Sequence, residues 1–268
     1  MIIGNRAFDV EHEIYVMGIL NVTPDSFSDG GSFNSMDKAL RHVEEMVEEG
    51  ADIVDIGGES THPGYTRIGD EEEIERIAPV IEAVSRRFDV PISVDTYKSG
   101  VAEAAIQAGA NLINDIWGFK ADEKMAALAA RTGVSCCLMH NRNQPDYSDF
   151  YRDFISDMRE CVDLAKKAGV ADDKIILDPG VGFGKTYENN LQIINHVEIL
   201  EELGYPVLLG TSRKSVIGLA LDLPSEERLE GTLATTVLGV WKGCAFVRVH
   251  DVKENKRAIS MTKKVMES

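Results

Sequence analysis

No apolar run in the sequence approaches the roughly 18–20 residues that cross a bilayer, so no membrane helix is expected. The opening MIIGNRAFDVEHE lacks the basic-then-apolar order of a secretory leader, and the expected location is cytoplasmic. Basic residues are scarce: 28 Lys and Arg stand against 45 Asp and Glu, for a formal net charge of −17. That balance argues against nucleic acid or an anionic membrane as the main partner. An anionic small molecule would need a local cluster of cations. Cysteine is sparse too. Cys136, Cys137, Cys161 and Cys244 show no CxxC or zinc-like spacing and read as reduced core thiols, with Cys136 and Cys137 facing opposite sides of a strand. No histidine pair has HExxH or another metal-binding spacing, so a metal held by protein ligands alone is not expected. No linker, repeat or low-complexity tract divides the chain, so residues 1–268 are expected to form a single domain.

What is present is a rhythm. Short apolar runs recur as EIYVMGILN, ADIVDIGG, PISVDT, NLINDI, VSCCLMHN, KIILDPG, PVLLGTS and CAFVRVHD. Between them lie segments such as EEEIERIAPVIEAVSRRF and DEKMAALAARTG, where apolar residues return three and four apart and glycine often closes the helix. Eight strand–helix units imply a parallel sheet and close most naturally into an α/β fold of the (β/α)8 TIM-barrel type, with an open doubly wound sheet as the lesser alternative.

In such a barrel the chemistry sits where the strands end. Here nearly every strand ends polar: Asn21, Asp55, Asp95, Asn114 with Asp115, Met139 with His140, Asp178, Thr211 through Lys214, and Arg248 with His250. Any one of these could merely cap a turn, but their convergence on one rim favours a site. Asp95, Asn114 and Asp178 would offer acceptors and donors to a flat heterocycle, and an ionised Asp could take two parallel N–H groups of an aminopyrimidine. Arg213, Lys214, Arg248 and His250 supply the cations, after the seventh and eighth strands where barrels commonly bind phosphate. DPGVGFGK lacks the GxxxxGK[ST] spacing of a nucleotide loop. Its glycines instead let backbone approach a ligand, with Phe183 as an apolar contact. A Mg2+ carried by substrate phosphates and one amide such as Asn21 fits better than a protein-held ion.

The strings MGILNVTPDSFSDGG and GADIVDIGGESTHPGYTRI, followed in order by SVDT, NLINDI, ILDPGVGFGK, GTSRKSVIG and RVHDV, resemble the dihydropteroate synthase family of folate biosynthesis from about Tyr15 to Val252. The resemblance implies a (β/α)8 transferase, usually a homodimer. It would join p-aminobenzoate to 6-hydroxymethyl-7,8-dihydropterin diphosphate with release of pyrophosphate, and sulfonamides would compete for the p-aminobenzoate site. Carried over by motif, Asp95, Asn114, Met139, Asp178, Phe183, Lys214 and Arg248 would bind the pterin. Asn21, Thr61, His62, Arg248 and His250 would hold the diphosphate, Asn21 through Mg2+. Phe27, Thr61, Pro63, Phe183, Lys214 and Ser215 would take p-aminobenzoate, and Asp95, Lys214 and Arg248 would be the catalytic residues. The polar loop after the first strand would close over the substrates and exclude water. One departure is His62, standing where the family's STRPG motif has Arg; a histidine there makes an anion contact pH-dependent. The rival implications are a methyltetrahydrofolate-binding methyltransferase, which has no use for the cations of SRKS and RVH, and a noncatalytic pterin-binding paralogue.

Overall fold

A computed structural model describes residues 1–23, 31–59 and 67–268. It begins with an element that the sequence pattern does not announce, an antiparallel hairpin of β1 (Ile2–Ile3) and β2 (Arg6–Ala7). The eight apolar runs then become parallel strands: β3 (Tyr15–Asn21), β4 (Ile53–Gly57), β5 (Ile92–Asp95), β6 (Leu112–Asp115), β7 (Ser135–Met139), β8 (Ile175–Asp178), β9 (Leu208–Leu209) and β10 (Phe246–Val249). Their order is β8-β7-β6-β5-β4-β3-β10-β9, and a parallel bridge from Leu177 to Val207 brings β8 to β9. The sheet is therefore a nearly closed TIM-like barrel. β9 is short because Pro206 before it has no N–H and contributes only its carbonyl, which accepts from Leu177 N at 2.9 Å.

The helices between the strands are α1 (Gly31–Glu48), α2 (Asp70–Arg87), α3 (Ser99–Ala108), α4 (Met125–Thr132), α5 (Phe150–Ala168), α6 (Tyr187–Asn195), α7 (Ser215–Leu221), α8 (Leu229–Trp241) and α9 (Val252–Met266). Gly133 and Gly169 end α4 and α5 in the left-handed conformation that a side chain disfavours. No helix of the described residues is long and apolar enough to cross a membrane.

Because side chains alternate along a strand, each strand feeds two cores. On β7, Cys136 and Leu138 face the helices, while Cys137 faces the barrel interior. All four cysteines are free and buried. The interior is filled at its N-terminal end by Met17, Ile53, Leu112, Cys137, Ile176, Leu208 and Phe246, and the hairpin seals that end by adding Ile3 and Phe8. Each large apolar side chain buried there contributes about 1.5–3 kcal/mol.

Candidate active site

The same alternation fixes what lies two residues further along each strand. Beyond Ile53 comes Asp55, beyond Leu112 Asn114, beyond Ile176 Asp178 and beyond Phe246 Arg248, all with the same parity as the inner apolar layer. Strand register aligns Asp95 with Asn114, and Met139 with Asp178. A ring of polar groups therefore sits directly on an apolar floor. Asp115, next to Asn114, points the other way: its carboxylate accepts from Trp117 N at 2.7 Å and Phe119 N at 3.1 Å, and it serves the loop rather than the ring.

Arg248 ties the ring together. Its Nε donates to Asp55 Oδ2 at 2.6 Å and its Nη2 to Asp95 Oδ2 at 2.7 Å, while Asn114 Nδ2 donates to Asp55 Oδ2 at 3.1 Å. Burial disfavours the guanidinium charge, but Asp55 and Asp95 outweigh it and the Arg248 pKa is raised. Burial pushes Asp95 up to about 7, against the pull of Arg248. Asp55 Oδ1, Ser93 Oγ and Asp95 Oδ1 are buried with no hydrogen-bond partner among the described residues. Such acceptors cost free energy unless a donor reaches them, which marks the pocket as built for a ligand with N–H groups.

Asp178 forms the far wall. Its Oδ1 accepts from Gly180 N at 2.7 Å. Burial raises its pKa, with Lys214 and the Gly180 N–H pulling the other way. Burial also brings Lys214 down to about 8, with Asp178 opposing. The Lys214 ammonium donates to Val181 O at 2.5 Å and lies 4.9 Å from the centre of the Phe183 ring. Met139, Tyr97, Ile116, Trp117 and Phe183 form a separate apolar cluster at this end of the barrel. Gly180, Gly182 and Gly184 all have positive φ, and a Cβ at Gly180 would collide with the His140 carbonyl oxygen. These glycines are therefore required by the turn that carries Val181 and Phe183.

The structure thus gathers Asp95, Asn114, Met139, Asp178, Phe183, Lys214 and Arg248 at one end of the barrel. Asn21 ends β3 with its side chain exposed, and Ser215 opens α7, also exposed. His250 follows β10, where Ser212 Oγ accepts from the His250 backbone N–H at 3.1 Å and lies 2.9 Å from Nδ1. Phe27, Thr61, His62 and Pro63 lie outside the described residues. Arg213, the neighbouring cation, donates to Asp251 at two points, with Nε to Oδ2 at 3.0 Å and Nη2 to Oδ1 at 2.5 Å. Asp55 is the site residue that motif reasoning left unassigned, although its parity with Ile53 was readable.

Among the described residues no group of three or more His, Cys, Asp or Glu could hold a metal. The donor chemistry fits an ion brought by phosphates, since one exposed amide oxygen at Asn21 suits Mg2+, which keeps waters and uses few protein ligands.

Residues 17–250 match the family model described as pterin binding enzyme. The chain is 61% identical over 263 residues to the dihydropteroate synthase of Clostridium beijerinckii, covering 98% of each protein. Among solved structures it is similar to a dihydropteroate synthase from Clostridium difficile determined in the presence of pteroic acid, with a TM-score of 0.95, 48% identity, and coverage of 98% of this chain and 100% of that one. A Yersinia pestis dihydropteroate synthase in complex with a sulfonamide drug gives a TM-score of 0.93 at 40% identity, covering 100% of this chain and 99% of that one.

Proposed function

The chain belongs to the pterin-binding dihydropteroate synthase family, and from that membership we propose how its own residues carry the reaction. The enzyme condenses 6-hydroxymethyl-7,8-dihydropterin diphosphate with p-aminobenzoate to give 7,8-dihydropteroate and pyrophosphate. The bond from the pterin methylene carbon to the diphosphate oxygen breaks, a bond from the arylamine nitrogen to that carbon forms, and the arylamine loses a proton. No covalent bond to the protein is required.

The observation that carries the mechanism is the ring of buried acceptors on Asp55, Asp95 and Asp178, some of them unpartnered. They receive the N–H edge of the pterin, with Asn114 oriented by Asp55 beside them. Ionised carboxylates beside the ring stabilise positive charge shared from the methylene carbon as the diphosphate leaves, so the substitution is dissociative. Lys214 donates to the pterin and stands beside the arylamine. Arg248, held at Asp55 and Asp95 in this structure, lies across the pterin face and reaches with His250 toward the diphosphate. Met139 and Phe183 border the rings, and Phe27, Thr61, Pro63 and Ser215 complete the p-aminobenzoate site. Mg2+ held by Asn21 and the diphosphate oxygens would neutralise charge on the leaving group. His62 adds a contact to the diphosphate that depends on its protonation.

The same reading includes a dimer. Eight of the ten large apolar side chains exposed among the described residues lie on α7, α8 and α9, including Leu219 at 68%, Trp241 at 60% and Met261 at 65% exposure. α8 packs on both α7 and α9. A second copy of this chain covers that surface. A cytoplasmic location is part of this reading, supported by the four buried thiols, with residues 1–268 acting as one unit. Sulfonamides occupy the p-aminobenzoate subsite and compete with that substrate.

The direct test gives the purified protein the pterin diphosphate and Mg2+, with and without p-aminobenzoate, and follows pyrophosphate and dihydropteroate. Pyrophosphate release that requires p-aminobenzoate and yields the conjugate is expected. Release without p-aminobenzoate at an equal rate would refute capture by the arylamine within the site.

A further inference from the structure

We propose that Lys185 is a positioning residue of the pterin pocket, holding the β8–α6 turn in the shape that presents the Val181 carbonyl to Lys214 and the Phe183 ring to the heterocycle. The inference rests on the pterin reading above and adds residues to which that reading gives no role.

The geometry begins at the ammonium. Lys185 Nζ lies 2.9 Å from Gly180 O, 3.1 Å from Phe183 O and 2.8 Å from His140 Nδ1. An ammonium has three N–H donors, so all of them are committed. Two of the acceptors are carbonyls of the turn itself. That turn passes through left-handed glycines at 180, 182 and 184, and two carbonyls converging on one point would repel each other without a cation between them. Asp178 is tied to the same turn through Gly180 N–H, and Lys214 is tied to it through Val181 O. Lys185 therefore holds the backbone on which two pocket side chains depend.

The third hydrogen bond links the turn to the body of the barrel. His140 is fully buried at the end of β7, and its Nε2 lies 3.0 Å from Asp157 Oδ2 on α5. A carboxylate only accepts, so the imidazole proton sits on Nε2 and Nδ1 is left to receive Lys185. Arg142 fixes Asp157 in turn, with Nε to Oδ2 at 2.5 Å and Nη2 to Oδ1 at 3.1 Å. Burial and the Lys185 charge push His140 down to about 3, so the ring stays neutral across the working pH range and the link does not switch. Burial also lowers the Lys185 pKa, with Asp178 opposing, while the two carbonyls and the imidazole nitrogen all solvate its charged form.

A merely structural role would lower stability without regard to which atoms replace the link, whereas a positioning role is rescued by side chains that restore the hydrogen bonds. The experiment measures equilibrium binding of 6-hydroxymethylpterin by its fluorescence, on the full chain as wild type, Lys185→Met, His140→Ala and His140→Gln, with the melting temperature of each. Glutamine can accept from Lys185 and donate to Asp157; alanine can do neither. Pterin affinity is expected to fall about 10-fold or more in Lys185→Met, as a displaced binding wall would cause. It should fall in His140→Ala and recover at least half of that loss, on a logarithmic scale, in His140→Gln. Affinity within twofold of wild type in Lys185→Met, or equal losses in the two His140 variants, would overturn the inference. If Lys185→Met does not fold, the His140 pair decides. Wild-type protein that binds no pterin would instead overturn the pterin reading on which the inference rests.

Discussion

Replacing Asp178 by Asn separates binding from stability in a way that only this geometry predicts. Asp178 Oδ1 accepts from Gly180 N at 2.7 Å, and an asparagine oxygen can keep that bond. The amide NH2 then occupies the place of Oδ2 and presents a donor where the pterin also presents a donor. The loss is one charge-assisted hydrogen bond, about 1.5–3 kcal/mol, together with an unsatisfied donor at about 1–3 kcal/mol. Together these come to about 2.5–6 kcal/mol, so pterin affinity should fall on the order of 100- to 10,000-fold. Stability should move the other way. Burial raises the Asp178 pKa in the folded protein, so the fold favours the protonated acid, and the contribution of this group is lost as pH rises from the ordinary carboxylate range through the raised value. At neutral pH the ionised carboxylate is therefore a burden on the free enzyme, and Asp178→Asn should leave the melting temperature unchanged or higher. Fluorescence titration with the pterin and thermal unfolding at pH 7.5 (roughly neutral, where the raised group counts most) check both halves. Binding within threefold of wild type, or a fall in melting temperature of more than about 5 °C, would refute the reasoning.

Burial brings Lys214 down to about 8, so its ammonium is lost as pH rises through that value. kcat/KM for the pterin diphosphate should decline above pH 8 in the wild type and stay flat in Lys214→Arg, whose side chain does not titrate there. For stability the sign is opposite: the unfolded chain binds the extra proton between about 8 and the ordinary lysine value, so this group's contribution rises with pH across that window. Gly180→Ala combines a positive φ with a collision against the His140 carbonyl, and should destabilise by roughly 3–5 kcal/mol, read as a fall in melting temperature on the order of 10 °C. Trp241→Glu should shift the sedimenting species from dimer to monomer while leaving pterin binding intact. If His62 contacts the diphosphate as a cation, KM for the pterin diphosphate should rise as pH increases from about 6 to 8, and His62→Arg should remove the dependence.

Much of the barrel was legible locally. An apolar run followed by an amphipathic helix, repeated eight times, admits few packings, and each strand's polar last residues sat where a barrel places its chemistry. The hairpin at the N-terminus was not legible, because Ile2–Ile3 and Arg6–Ala7 are too short to carry a period and gain their stability from the open end of the barrel they cover. Arg213 and Lys214 look alike in the string SRKS, yet one is bound by Asp251 and the other by Val181 O. Adjacent residues diverge at a turn, and no sequence distance says which carboxylate waits 38 residues away.

The sequence by itself determined the order of the eight strand–helix units, the family and the residue types at the strand ends, since these follow from side-chain period and from motifs a few residues long. Tertiary structure alone decided the partners: Arg248 between Asp55 and Asp95 across 193 and 153 residues of chain, and Lys185 against His140 across 45. Those choices depend on strand register and barrel closure, which bring distant residues within hydrogen-bonding reach only after the whole sheet has formed.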